Sequence, residues 1–79
     1  MRLPRDMDAA SLIKALGRLG YSVTRQTGSH IRLTINDPDQ HHLTVPNHSP
    51  IKIGTLNSIL TEVANHLRIS RDQLLHRIL

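Results

Sequence analysis

The residue with the clearest capacity for chemistry is His30, at the end of the segment Arg25-Gln26-Thr27-Gly28-Ser29-His30, with Arg32 two positions further on. Cleaving a phosphodiester without a metal needs a base to take a proton from the attacking oxygen and an acid to protonate the leaving oxygen. An imidazole titrates near neutrality and can fill either role, each contributing about 10²–10⁴-fold. No Asp or Glu lies between Lys14 and Asp37, so His30 sits in a locally cationic field that suits a phosphodiester. A histidine on a surface strand is, taken alone, most often a solvated residue. The company of Arg25 and Arg32 singles this one out. Ser29 either donates a hydrogen bond or shapes the turn, and turn-residue preferences favour the turn.

A β-hairpin must position these groups. Tyr21-Ser22-Val23-Thr24 and Ile31-Arg32-Leu33-Thr34-Ile35 both alternate apolar and polar residues, the period of a half-buried strand. A loop of Gln26-Thr27-Gly28, with Gly28 left-handed, is a favoured hairpin geometry. It predicts Val23 opposite Ile31 and Tyr21 opposite Leu33 on the buried face. Thr24 opposite His30 and Ser22 opposite Arg32 then make the solvent face. His42-Leu43-Thr44-Val45 alternates again after the turn-rich Asn36–Gln40 and predicts a third strand, ended by Pro46.

The helices follow from 3.6-residue periodicity. Leu12, Ile13, Leu16 and Leu19 predict a helix from about Ala9 to Leu19, capped by Asp6 or Asp8 and ended by Gly20, with Lys14 and Arg18 on another side. Met1–Met7, with Pro4, reads as an extended lead. Leu56, Ile59, Leu60, Val63 and Leu67 form the strongest helical stripe, begun by Thr55 or a backbone nest near Gly54. Ser70 and Gln73 have capping-box spacing, with Ile69 and Leu74 as a staple, and predict a short helix from about Arg71 to Arg77. The order helix, three strands, helix, short helix implies a two-layer α+β domain over 1–79, the α-β-β-β-α order of double-stranded-RNA-binding domains.

Composition narrows the classes further. The chain has 79 residues, no Cys and a single aromatic, Tyr21. Its core must therefore be aliphatic, with the Tyr21 ring inside and its hydroxyl at the rim. Stacking platforms that grip single-stranded RNA with several aromatics are excluded. The net charge of +4 fits a polyanion or an acidic protein partner. There is no membrane-length apolar run and no signal-peptide pattern, so a cytoplasmic protein is expected. His41 and His42 point to opposite faces of a strand, and with His48 they lack a carboxylate or Cys at useful spacing, so no metal or other cofactor is expected. His66 and His76 read as solvated helix residues, His66 near the end of its helix.

Gln26-Thr27-Gly28-Ser29-His30 after Gly20-Tyr21, then Val45-Pro46-Asn47-His48, then Gly54-Thr55-Leu56, resembles the HicA-type mRNA interferase toxins from about Asp8 to Leu75. The resemblance implies the double-stranded-RNA-binding-domain-like fold and an endoribonuclease with His30 as its catalytic residue. It also implies mRNA as substrate and a HicB-type antitoxin as partner, the toxin being a monomer or part of a toxin–antitoxin hetero-oligomer. His48 is the family-pattern candidate for a supporting role beside Ser29 and Arg32; equally, it could simply fix the strand-to-helix connection. Arg25, Arg32, Lys14 and Lys52 are the candidate RNA contacts. Many relatives carry an aromatic shortly after Gly-Ser-His, where this chain has Ile31-Arg32-Leu33-Thr34.

A non-catalytic double-stranded-RNA-binding module is the alternative. Such modules usually carry a Lys/Arg cluster at the start of the last helix, where this chain has only Lys52 followed by uncharged Ile53–Asn57. A helix-turn-helix built from Leu56–Leu67 and Arg71–Leu79 would offer DNA only Arg71, Gln73 and Arg77.

Overall fold

The computed structural model describes residues 6–79, so most of the lead expected at Met1–Met7, Pro4 included, lies outside the described residues. Helix α1 spans Ala9–Gly17, and of the two candidate caps Asp8 does the work. Its carboxylate accepts the Ser11 N–H at 2.7 Å, which holds it below the usual carboxylate range. The helix ends two residues earlier than its apolar spacing predicts. The N–H groups of Arg18, Leu19 and Gly20 reach back three residues, to Ala15, Leu16 and Gly17, which tightens the last turn.

Strands β1 (Ser22–Thr27), β2 (His30–Ile35) and β3 (His41–Pro46) form an antiparallel meander. One face of this sheet presents Ile31, Leu33, Ile35, Leu43 and Val45, all buried. They pack with Leu12 and Leu16 of α1 and with Leu56, Ile59, Leu60 and Val63 of α2 (Ile53–Leu67). Helix α3 (Arg71–Ile78) adds Leu74, Leu75 and Ile78 to the same cluster, and Tyr21 joins it as the one aromatic. The α+β order and the two layers are as the sequence implies.

The hairpin register differs from the expected one. Thr27 pairs with His30, Gln26 with Ile31 and Arg25 with Arg32, so the turn is the two residues Gly28-Ser29. Gly28 is left-handed, at φ 56°, and stands first in the turn, the position where a tight II′ hairpin requires glycine. A two-residue turn alone would leave Val23 opposite a polar residue. A bulge between Val23 and Arg25 absorbs one residue, and beyond it Val23 pairs with Leu33 and Ser22 with Thr34. The expected pairs Val23–Ile31, Thr24–His30 and Ser22–Arg32 are therefore replaced. Val23 also stays 49% exposed, because β1 is an edge strand lying beyond most of the helical cover.

Helix α2 begins at Ile53, two residues before Thr55, with Lys52 at its N-cap and no side-chain cap bond. It ends on Arg68, left-handed at φ 58°. The N–H groups of Arg68 and Ile69 reach the Asn65 and Ala64 carbonyls and close the helix. The capping box of α3 forms in full: Ser70 Oγ accepts the Gln73 N–H at 3.1 Å, and Gln73 Oε1 accepts the Ser70 N–H at 2.8 Å. Arg18 donates to the Ile78 carbonyl at 3.2 Å, so one of the expected α1 surface cations is spent holding the end of α3.

Leu33 and Val23 face each other across β1 and β2 yet differ in cover, which separates their energetic roles. Leu33→Ala should cost about 2–5 kcal/mol in urea unfolding, while Val23→Ala should cost under about 1 kcal/mol.

Candidate active site and nucleic-acid face

Covering one side of the sheet leaves the other to solvent. Alternation along β2 places His30, Arg32 and Thr34 on that outer face, and their partners follow from register. His30 lies between Thr27 and Pro46, Arg32 between Arg25 and Thr44, and Thr34 between Ser22 and His42. A strand rise of about 3.3 Å per residue puts Arg32 about 7 Å and Thr34 about 13 Å from His30 along the strand.

His30 is exposed, and among the described residues its imidazole has no hydrogen-bond partner. The turn beside it is fastened to the segment after β3, since Asn47 N–H donates to the Ser29 carbonyl at 2.7 Å. Gly28-Ser29-His30 and Pro46-Asn47-His48 are thus brought together through their backbones. His48 uses its backbone to join elements: its N–H donates to Pro46 O at 2.9 Å and its carbonyl accepts the Ala9 N–H at 3.2 Å at the start of α1. Its side chain is exposed and unbonded among the described residues. Ser29 likewise serves through its turn position and its carbonyl.

Arg25 and Arg32 are the electrostatic centre of the face. The two-residue turn sets them directly opposite each other, and no carboxylate among the described residues pairs with either. Like charges in that position repel by up to about 1 kcal/mol, and an anion between them would remove the penalty. Lys14 and Lys52 are exposed but belong to the helical layer, on α1 and at the N-cap of α2, so the expected RNA-contact set divides between two sides of the protein. Beyond the arginines lies a shallow depression of about 420 Å³, lined by Thr24, Arg25, Arg32, Thr34, Asn36, Gln40 and His42. A second hollow, of about 520 Å³, is lined by Pro50–Ile53 and offers only Lys52 as a charged group.

The remaining central histidines separate as strand geometry requires. His42 joins the outer face, where Thr24 Oγ1, Thr34 Oγ1 and His42 Nδ1 form a chain with spacings of 2.9 and 2.8 Å. His41 points to the helices. Its Nδ1 meets the Tyr21 hydroxyl at 2.8 Å and its Nε2 meets Glu62 at 3.1 Å. His66, expected to be solvated, instead stacks on His41 with ring centroids 4.5 Å apart. Glu62 and His66 are four residues apart on α2, so both look down on the same residue of β3. No group of three or more potential ligands is arranged to hold a metal among the described residues.

The comparison with known families falls on this arrangement. The family model described as HicA toxin of bacterial toxin-antitoxin matches residues 9–64, from the start of α1 almost to the end of α2. The chain belongs to the HicA toxin family. No curated protein and no solved structure matches it. A HicA-family chain is a toxin of a toxin–antitoxin system, and this one has no helix among the described residues long and apolar enough to cross a membrane. The match includes the whole hairpin and the outer face, and leaves α3 outside.

Tyr21 gives the HicA chain a built-in reporter. Burial, with a smaller contribution from the Glu62 charge, pushes its hydroxyl up to about 12. Because the folded value lies above the unfolded one, the associated stability is complete below pH 10 and disappears as pH rises through about 12. As the chain has one Tyr and no Trp, tyrosinate absorbance should rise near pH 12 while the fold holds, and urea stability should fall across that same window.

Proposed function

We propose that this HicA-family toxin is a metal-independent endoribonuclease acting on mRNA, with His30 as its general acid/base. The observation that carries the reading is an unencumbered imidazole beside the unneutralised Arg25–Arg32 pair on the open face of the sheet. His30 takes the ribose 2′-hydroxyl proton or returns one to the leaving 5′-oxygen. The 2′-oxygen bonds to phosphorus as the bond to the 5′-oxygen breaks, leaving a 2′,3′-cyclic phosphate and a free 5′-hydroxyl. Arg25 and Arg32 bind the phosphate and carry part of the charge that grows on its oxygens.

His48 is assigned no step in this scheme: its backbone joins β3 to α1, and its side chain is exposed beside the same turn. His42 stands about 13 Å along the sheet from His30 and serves a different nucleotide. A HicB-type antitoxin is the proposed partner. It would silence the toxin by laying an acidic surface over His30 and the two arginines. The intact face of a toxin kept in the bacterial cytoplasm is then occupied until the antitoxin is lost.

Purified wild type and His30→Ala should be compared on a mixed RNA substrate with and without EDTA. The wild type should cut in EDTA and leave cyclic-phosphate ends, while the variant loses at least about 100-fold in rate. Since His30 is exposed, the variant should melt as the wild type does. Equal cutting by the two proteins would remove His30 from the mechanism, and cutting abolished by EDTA would remove metal independence.

A further inference from the structure

We infer that the depression beyond the arginines is a nucleobase subsite, in which an RNA base neighbouring the scissile phosphate stacks on His42 and is read by the side-chain amides of Asn36 and Gln40. The inference rests on the ribonuclease reading and adds to it the place where the toxin would recognise sequence.

Three observations converge on this end of the face. His42 is exposed, yet its ring is held from below by the Thr24–Thr34 hydroxyl chain. In one direction Thr34 O–H donates to Nδ1 and leaves Nε2–H facing outward; in the other Nδ1–H donates to Thr34 and leaves Nε2 as an acceptor. The ring is oriented in both. Thr34 is the one buried polar side chain among the described residues, 7% exposed, although it lies on the solvent side of the sheet. Thr34 is therefore a covered support under an open ring, with the exposed Thr24 hydroxyl as its second partner.

The ring itself matters because the chain has so few. Tyr21 is buried on the opposite side, so His30 and His42 supply the rings of the outer face among the described residues. Histidine is one of the side chains on which unpaired RNA bases stack. Beside it, Gln40 Nε2 donates to Asn36 Oδ1 across 3.4 Å, at the long limit of a hydrogen bond. Two exposed amides so weakly committed to each other present donors and acceptors that match a base edge. The Arg25–Arg32 pair lines this depression on the side nearer His30, and it supplies the phosphate anchor that a base alone would lack. The volume, about 420 Å³, is that of a small-ligand site.

The test uses the full chain carrying His30→Ala, so that RNA is bound without being cut. Its affinity for short oligomers of A, C and U is measured by fluorescence polarisation. The same measurement follows on the chain with His42→Ala, with Asn36→Ala and Gln40→Ala together, and with Arg25→Ala. The parent should discriminate among the oligomers. His42→Ala should weaken the preferred one about tenfold, as loss of one stacked base does, and the amide pair should flatten the discrimination. Arg25→Ala should weaken all oligomers alike. Unchanged affinity and discrimination in both the His42 and the amide variants, or a parent that binds no RNA, overturns the subsite. Cleavage by the chain with His30 intact is followed alongside. His30-dependent cutting with a silent His42 sinks the subsite and keeps the ribonuclease; His42-dependent discrimination in a chain that does not cut does the reverse.

Discussion

Ile31, Leu33, Leu43 and Val45 project to one side of the sheet, and the two long helices have only enough apolar surface to cover that side. This one-sided burial is the constraint on which the protein depends. A small chain with a single aromatic cannot dry both faces of a sheet, so the polar alternates of every strand collect on an open surface. His30, Arg32 and Thr34 share that surface because they are the even-numbered residues between buried odd-numbered ones. The catalytic and recognition groups proposed for this toxin are the polar half of the pattern that folds it.

Within that surface the bulge at Thr24 decides which groups meet. Without it, the tight turn at Gly28-Ser29 would set Val23 against Thr34 and Thr24 against Leu33. The inserted residue returns Val23 to an apolar neighbour, while on the turn side of the bulge Arg25 faces Arg32. Repulsion between the guanidiniums is a small cost, bounded at about 1 kcal/mol, against the burial that correct pairing of β2 secures. Bulges re-aim side chains near functional sites, and here the re-aimed side chain is Thr24, whose hydroxyl meets that of Thr34.

The opposite edge of the sheet is tied down by polar contacts of another kind. Tyr21, His41, Glu62 and His66 link the start of β1, the start of β3 and α2. Glu62 remains open to solvent and the Tyr21 ring does not, so the chain of contacts runs from core to surface. It lies on the helical side of β3, away from His30, and accounts for two histidines that could otherwise be mistaken for ligands. Arg18 and Asn57 similarly fasten α3, through the Ile78 carbonyl and the Arg71 guanidinium.

Local rules were enough to read much of this protein from its sequence. Periodicity located the two longer helices and the meander, and capping-box spacing located the third helix, because these patterns are properties of neighbouring residues. Ser70 with Gln73, and Asp8 with Ser11, are caps whose partners lie three residues apart, and both form. The Gly-Ser-His element and its company marked His30 and led to the family. Register was another matter, since strand pairing depends on residues far apart in sequence and on a bulge that turn composition does not announce. Only the folded chain placed Arg25 opposite Arg32, left Val23 half-exposed on an edge, supported His42 on two threonines and brought His66 onto His41. Each of these is a contact between elements, decided by how the helices and strands share one small core.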